Sequence, residues 1–167
     1  MEQPAILGGV PVRETPIHYG KQYIDQADVE AVSKTLLSPA LTGGPKITEL
    51  ENKLCEITHA KYAVAVSNGT AALHIAAMAA GFKEGDEVIV SSITFAASSN
   101  CVLYVGAKPV FADIEPDTYN IDPESVRRLI TPRTKGVIAV DFTGQAVKHD
   151  ELREICREHN LIFIEDA

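Results

Sequence analysis

Basic side chains are in the minority: 15 lysines and arginines stand against 23 aspartates and glutamates, a formal net charge of -8. A surface of that sign repels phosphate backbones, which argues against nucleic acid as a partner. Cysteine is scarce as well. Cys55, Cys101 and Cys156 are odd in number, far apart and without a CxxC pair. They form no disulfide framework and fit a reducing cytoplasm. No apolar run approaches 18 residues, so a membrane span is not expected. The start, Met1-Glu2-Gln3-Pro4, has neither a basic region nor a long apolar stretch, so a secretion signal is not expected either. There is no internal repeat, low-complexity tract or linker. What is present is ordinary for a globular chain: 46% hydrophobic and 23% charged residues, with 11 Gly and 9 Pro in 167 positions. Those values exclude disorder, collagen and coiled coil, and the length suits one domain or a piece of one.

Residues 1–20 hold Gly8-Gly9, Pro11 and Pro16 and are expected to form an irregular arm. Val29, Val32 and Leu36 recur at helical spacing, which predicts an amphipathic helix over 25–37. Ser38-Pro39 stops it, because a residue before proline is pushed out of the α region. After the loop Thr42-Gly43-Gly44-Pro45, a second helix is predicted with Ile47, Leu50, Leu54 and Ile57 on one face. From there the pattern changes. Residues 62–67, 87–91, 109–114, 136–141 and 161–165 are short, Val- and Ile-rich runs without alternation. Strands buried on both faces of a parallel sheet read this way. Helices are predicted between them over 70–80, 96–105, 122–130 and 149–160. The first ends at Gly81, and the third opens with Asp122 as cap and Pro123 at its first position. In the last, Leu152, Ile155 and Cys156 form the inner face. Strand–helix alternation implies an α/β sheet with right-handed crossovers.

Three turns could carry chemistry. Ser67-Asn68-Gly69-Thr70-Ala71-Ala72 joins a strand run to a helix. Free N–H groups of a helix's first turn attract anions, Gly69 lets a ligand approach and Thr70 adds a hydroxyl. The same residues also suit a plain Ser or Asn cap with nothing bound. There is no GxGxxG and no GxxxxGK[ST], so dinucleotide and P-loop sites lack their fingerprints. Ser91-Ser92-Ile93-Thr94-Phe95 lies at the carboxyl end of the next strand, where ligands of such sheets bind. Phe95 could stack on a flat ring there, or simply fill the core. Glu165-Asp166 follows four apolar residues, and a carboxylate in that place needs a partner. A cationic heterocycle would supply one; capping a following helix is the alternative. Asp141 is a weaker instance. His18, His59, His74, His149 and His159 show no HxxH or HExxH spacing and are expected to be surface or packing residues, with His74 as a satisfied core histidine. No metal site is expected.

Taken in order, these motifs continue with Gly85-Asp86-Glu87-Val88-Ile89-Val90, then Gly106-Ala107-Lys108-Pro109-Val110-Phe111-Ala112-Asp113-Ile114. Thr131-Pro132-Arg133-Thr134-Lys135 and Ile164-Glu165-Asp166-Ala167 complete the series, and Gly43-Gly44-Pro45 with Glu49 and Glu51 precedes it. The series, from about Tyr19 onward, resembles the DegT/DnrJ/EryC1/StrS family of pyridoxal-phosphate sugar aminotransferases. Within it the nearest likeness is to enzymes aminating nucleotide-linked 4-keto-6-deoxy sugars, the pseudaminic acid pathway type included. The resemblance implies the fold type I large domain of pyridoxal-phosphate-dependent transferases, a mostly parallel sheet with flanking helices. It implies pyridoxal 5'-phosphate as cofactor, with Gly69, Thr70 and Ala71 at its phosphate, Phe95 stacked on its ring and Asp166 paired with its ring nitrogen. It also implies a keto sugar nucleotide and an amino-acid donor, expected to be glutamate, and a cytoplasmic homodimer. A dehydratase or keto-cyclitol aminotransferase of the same fold, and a non-catalytic nucleotide-binding α/β module, are the alternatives.

The family's Schiff-base lysine lies beyond the Glu-Asp-Ala motif, and none of the nine lysines here matches it. The 167 residues are therefore expected to be an N-terminal part, truncated before that lysine and unable to transaminate alone. The expected organisation is an arm over 1–20 and an incomplete cofactor-binding domain over 21–167. Four strands are expected side by side, 161–165 next to 136–141, then 87–91, then 109–114. The run 62–67 would lack its family partner, and is expected to close onto 161–165, to pair with another copy or to be poorly ordered.

Overall fold

A computed structural model describes residues 3–15, 17–18 and 20–167. Met1, Glu2, Pro16 and Tyr19, named in the readings above, lie outside them. The chain divides into two compact units, Met1–Ala63 and Val64–Ala167.

The first unit carries two helices after an irregular segment with one 3-10 turn, Ala5–Leu7. Helix α1 is Gln26–Leu36. Asp25 caps it by accepting from the N–H groups of Ala27 (2.9 Å) and Asp28 (3.2 Å), and the Asp28 carboxylate accepts from Asp25 N–H at 3.0 Å. That reciprocal pair satisfies donors that a helix start otherwise leaves open. Helix α2, Pro45–Thr58, opens with proline at the one turn where its missing N–H costs nothing.

The second unit is a four-stranded parallel sheet with helices between its strands. In chain order it runs α3 (Gly69–Ala79), β1 (Glu87–Ser91), α4 (Ala97–Tyr104), β2 (Lys108–Ala112), α5 (Pro123–Leu129), β3 (Thr134–Val140), α6 (His149–Glu158) and β4 (Ile162–Asp166). The spatial order is β2-β1-β3-β4, with every pair parallel. This is the order expected above for these four runs. Strand β1 is buried along its whole length, as a non-alternating apolar run should be. Alternate side chains serve two cores. Val88, Val90, Ile138 and Ile164 face α3 and α4, whereas Ile89, Val137, Ala139 and Phe163 face α6 and its neighbours. Leu152, Ile155 and Cys156 of α6 are buried there, as their spacing predicted.

Gly136 is required by packing between β3 and β4. A Cβ on it would stand 2.5 Å from Phe82 Cζ and 2.9 Å from the Ile162 carbonyl oxygen. Gly81 closes α3 with φ at +74°, a conformation open to glycine at no steric cost.

One expectation fails. Residues 62–67 form no strand, and they do not close onto β4, whose ladder is with β3. Tyr62, Val64 and Val66 stay exposed. Hydrophobic content alone does not make a strand, because a strand's backbone groups must find a neighbouring ladder. Helix α3 therefore follows an irregular segment. Among the described residues, no helix is long and apolar enough to cross a membrane.

Candidate functional site

Helix α3 begins where the Ser-Asn-Gly-Thr turn predicted. Asn68 is its cap, and its Oδ1 accepts from Ala71 N–H at 2.8 Å. That bond uses one of the open donors. The N–H groups of Gly69 and Thr70 meet no protein acceptor among the described residues, and both residues are exposed. A Cβ on Gly69 would touch nothing within 4 Å, so protein packing does not demand glycine there. Room beside two aligned donors at the positive end of a helix is the geometry of an anion site. The cap leaves those two N–H groups open, because it uses a different one.

The loop after β1 is tied down by short hydrogen bonds. Ser91 Oγ donates to the Ile93 carbonyl at 3.1 Å, and Ser92 N–H reaches the Ala112 carbonyl at 3.0 Å. Phe95 stands 77% exposed at the head of α4, so it does not fill the core. A large aromatic face left in water at a strand's carboxyl end is available for stacking.

Asp166 closes β4. The hydroxyl of Ser98, a residue of α4 with no solvent exposure, donates to Asp166 Oδ2 at 2.5 Å. Thr94 Oγ1 lies 2.6 Å from Ser98 Oγ. Each hydroxyl has one proton to give. The charged carboxylate takes that of Ser98, and Ser98 in turn accepts from Thr94. Thr94 is the residue before Phe95, so one buried serine links the aromatic loop to the carboxylate. Asp166 Oδ1 has no donor among the described residues and is left for something else. Cys101 lies beneath this group, and burial pushes its thiol above the ordinary range, which leaves it a packing residue.

The structure thus joins Phe95 to Asp166 through Ser98. Among the described residues no hydrogen bond joins Gly69, Thr70 or Ala71 to that pair. Their link is the packing of α3 beside α4 over the shared core. Ser98 is the residue that sequence reasoning missed. It lay inside a predicted helix, and a helical serine carries no motif of its own. Glu165 points to the opposite face from Asp166, as alternation along a strand requires. His74 is half-buried, with its ring edge-on to Tyr104 at 5.1 Å.

Comparison with known proteins identifies the surroundings. Residues 22–167 match the model of the DegT/DnrJ/EryC1/StrS aminotransferase family. The chain belongs to that family. It is 42% identical over 149 residues to the spore coat polysaccharide biosynthesis protein SpsC of Bacillus subtilis, covering 89% of this chain and 38% of SpsC. It is 47% identical over 124 residues to the GDP-perosamine synthase of Caulobacter vibrioides, covering 74% of this chain and 33% of that protein. Its fold matches a putative sugar aminotransferase, Spr1654 of Streptococcus pneumoniae, in the PMP form. The TM-score is 0.87 at 30% identity, covering 91% of this chain and 42% of Spr1654. The chain therefore spans between a third and just over two fifths of these relatives. Its parallel sheet with flanking helices is the corresponding part of the pyridoxal-phosphate-dependent sugar aminotransferase fold.

Proposed function

We propose that this chain is the cofactor-cradling part of a pyridoxal-phosphate-dependent aminotransferase that delivers an amino group from an amino acid to a keto sugar nucleotide. The observation that carries the proposal is Asp166, anchored through Oδ2 by a buried serine with Oδ1 left over, at the carboxyl end of a parallel strand. The residues present fit the cofactor. The N–H groups of Gly69 and Thr70 would hold its phosphate, with the Thr70 hydroxyl beside them. Small Ala71 leaves that turn uncrowded. Phe95 would cover one face of its ring and exclude water from it. Asp166 Oδ1 would face the ring nitrogen and favour its protonated form, since a carboxylate beside a base stabilises the cation. When bound, the cofactor supplies the electron sink that amino-group exchange needs.

Residues 21–167 would be the N-terminal part of the cofactor-binding domain, with 1–20 as an arm. Glutamate as donor and a homodimeric assembly belong to the same proposal and are supported by family membership. A cytoplasmic location belongs to it too, supported by three cysteines that are all free thiols.

The test is binding of pyridoxamine 5'-phosphate to the chain by titration calorimetry. Asp166→Ala is expected to weaken binding about tenfold or more, and Gly69→Ala, which keeps its N–H, to weaken it by placing a methyl group in the open space beside the turn. A lost charge-assisted bond is worth about 1.5–3 kcal/mol, and each 1.4 kcal/mol is about tenfold in affinity. Equal binding by both variants and the parent chain overturns the reading.

A further inference from the structure

Behind the face that carries Asp166, three donor groups converge from three separate elements. Asp141 is the residue after β3, His149 opens α6 and Glu165 lies in β4. Their ligand atoms all lie within 4.8 Å of one another. We propose that Asp141, His149 and Glu165 form a binding site for a divalent first-row transition cation such as Zn2+, a staple across β3, α6 and β4.

The chemistry of the set selects the ion. One imidazole and two carboxylates suit zinc and its neighbours. An all-oxygen cage would suit calcium or magnesium, and thiolates would suit copper(I). The spacing is right as well. His149 Nε2 and Glu165 Oε1 are 3.5 Å apart, long for a hydrogen bond. Two ligands on a tetrahedral ion with bonds of about 2.0–2.2 Å stand about 3.3–3.6 Å apart.

The ligands are also aimed. Asp141 Oδ1 accepts from Val147 N–H at 2.9 Å, the outer bond that good metal ligands have, and this fixes the carboxylate facing Glu165. The Asp141 N–H reaches the Asp166 carbonyl at 3.1 Å, so the parallel ladder itself brings Asp141 beside Glu165. The connection from Asp141 to His149 is pinned by Asn120, which is buried. Asn120 donates to the carbonyls of Gln145 (2.8 Å) and Ala146 (3.1 Å) and accepts from Phe142 N–H at 3.0 Å. Phe163 stands edge-on to the imidazole at 6.2 Å.

The nitrogen that faces Glu165 is Nε2, so Nε2 is the imidazole atom offered to the cation, while Nδ1 on the far side of the ring is buried without a protein partner among the described residues. Without a cation the carboxyl groups of Asp141 and Glu165 are hydrogen-bonded to each other through a shared proton, and a cation would take the place of that proton. The consequence is mechanical. A cation held there fixes Glu165, and with it the end of the strand on which Asp166 is the next residue.

The test is Zn2+ titration of the metal-stripped chain near pH 7, read by calorimetry, with a Co2+ spectrum in parallel. One Zn2+ per chain is expected. His149→Ala, Asp141→Asn and Glu165→Gln should each weaken it at least tenfold, with unchanged circular dichroism. Co2+ should show visible d–d bands without a thiolate charge-transfer band, and that measurement needs no variant. No saturable binding, binding that survives all three substitutions, or a thiolate band pointing to the cysteines would each overturn the proposal.

Discussion

The bond from Ser98 to Asp166 can be weighed directly, without any cofactor. Ser98 is buried, and its hydroxyl is the one described donor to the Asp166 side chain. A hydrogen bond to a charged group contributes about 1.5–3 kcal/mol net. Asp166 is only half-buried, and solvent screening brings the expected value to the lower part of that range. Ser98→Ala should therefore cost about 1.5–2 kcal/mol. The Thr94 hydroxyl, left without its acceptor, falls back on the Phe95 carbonyl at 3.3 Å, so it adds little. Asp166→Ala removes the other partner. If the bond is real, the double variant costs less than the sum of the singles, and the coupling is at least about 1 kcal/mol. The chain has no tryptophan, so urea unfolding is best followed by far-ultraviolet circular dichroism. A coupling below about 0.5 kcal/mol would mean that the two side chains are neighbours without an energetic link. The account of how Asp166 is held in place would then be wrong.

Other consequences are simpler. Glu87 is held down to a pKa of about 2, against an ordinary 4.5, chiefly by its hydrogen bond to Arg133 and then by that from Thr131. A depressed carboxyl stabilises the fold above the unfolded value and loses that contribution as pH falls from about 4.5 through about 2. Glu87→Gln should flatten the fall of the urea midpoint over that window, and an unchanged slope would show that the Arg133 contact carries no stability. Gly136→Ala should destabilise by about 1–3 kcal/mol or more, because its Cβ meets Phe82 and the Ile162 carbonyl; a neutral thermal midpoint would contradict the β3–β4 packing. Asn68→Ala should cost about 0.5–2 kcal/mol through the lost cap, whereas Gly69→Ala should be nearly neutral for stability yet weaken pyridoxamine 5'-phosphate binding. If Gly69→Ala instead cost as much as the cap, glycine would be serving the fold and not a ligand.

What could be read from the chain depended on whether the deciding physics was local. Helix ends were legible because caps act within four residues. The pair Asp122-Pro123 and Gly81 stand where a helix starts or stops, whereas the Asp25 cap of α1 was seen only in the structure. Strands β1 and β3 were legible because burial on both faces leaves an unbroken apolar run. Their order came from family resemblance, since no local pattern encodes which strand neighbours which. Residues 62–67 have the same composition and form no strand, because pairing belongs to two segments and composition to one. Phe95 inverts the usual rule in the other direction. Its hydrophobicity suggests burial, while its position at the head of α4 holds it in water. Ser98 meets Asp166 across 68 residues of sequence, and Asp141, His149 and Glu165 lie eight and then sixteen residues apart. Neither spacing is a helical or metal-binding period. They meet because β3 and β4 run parallel, so that both carboxyl ends, and the start of α6, reach the same edge of the sheet. A fold of this kind gathers its chemistry at strand ends, and the side chains gathered there carry no common signature until the ladder is formed.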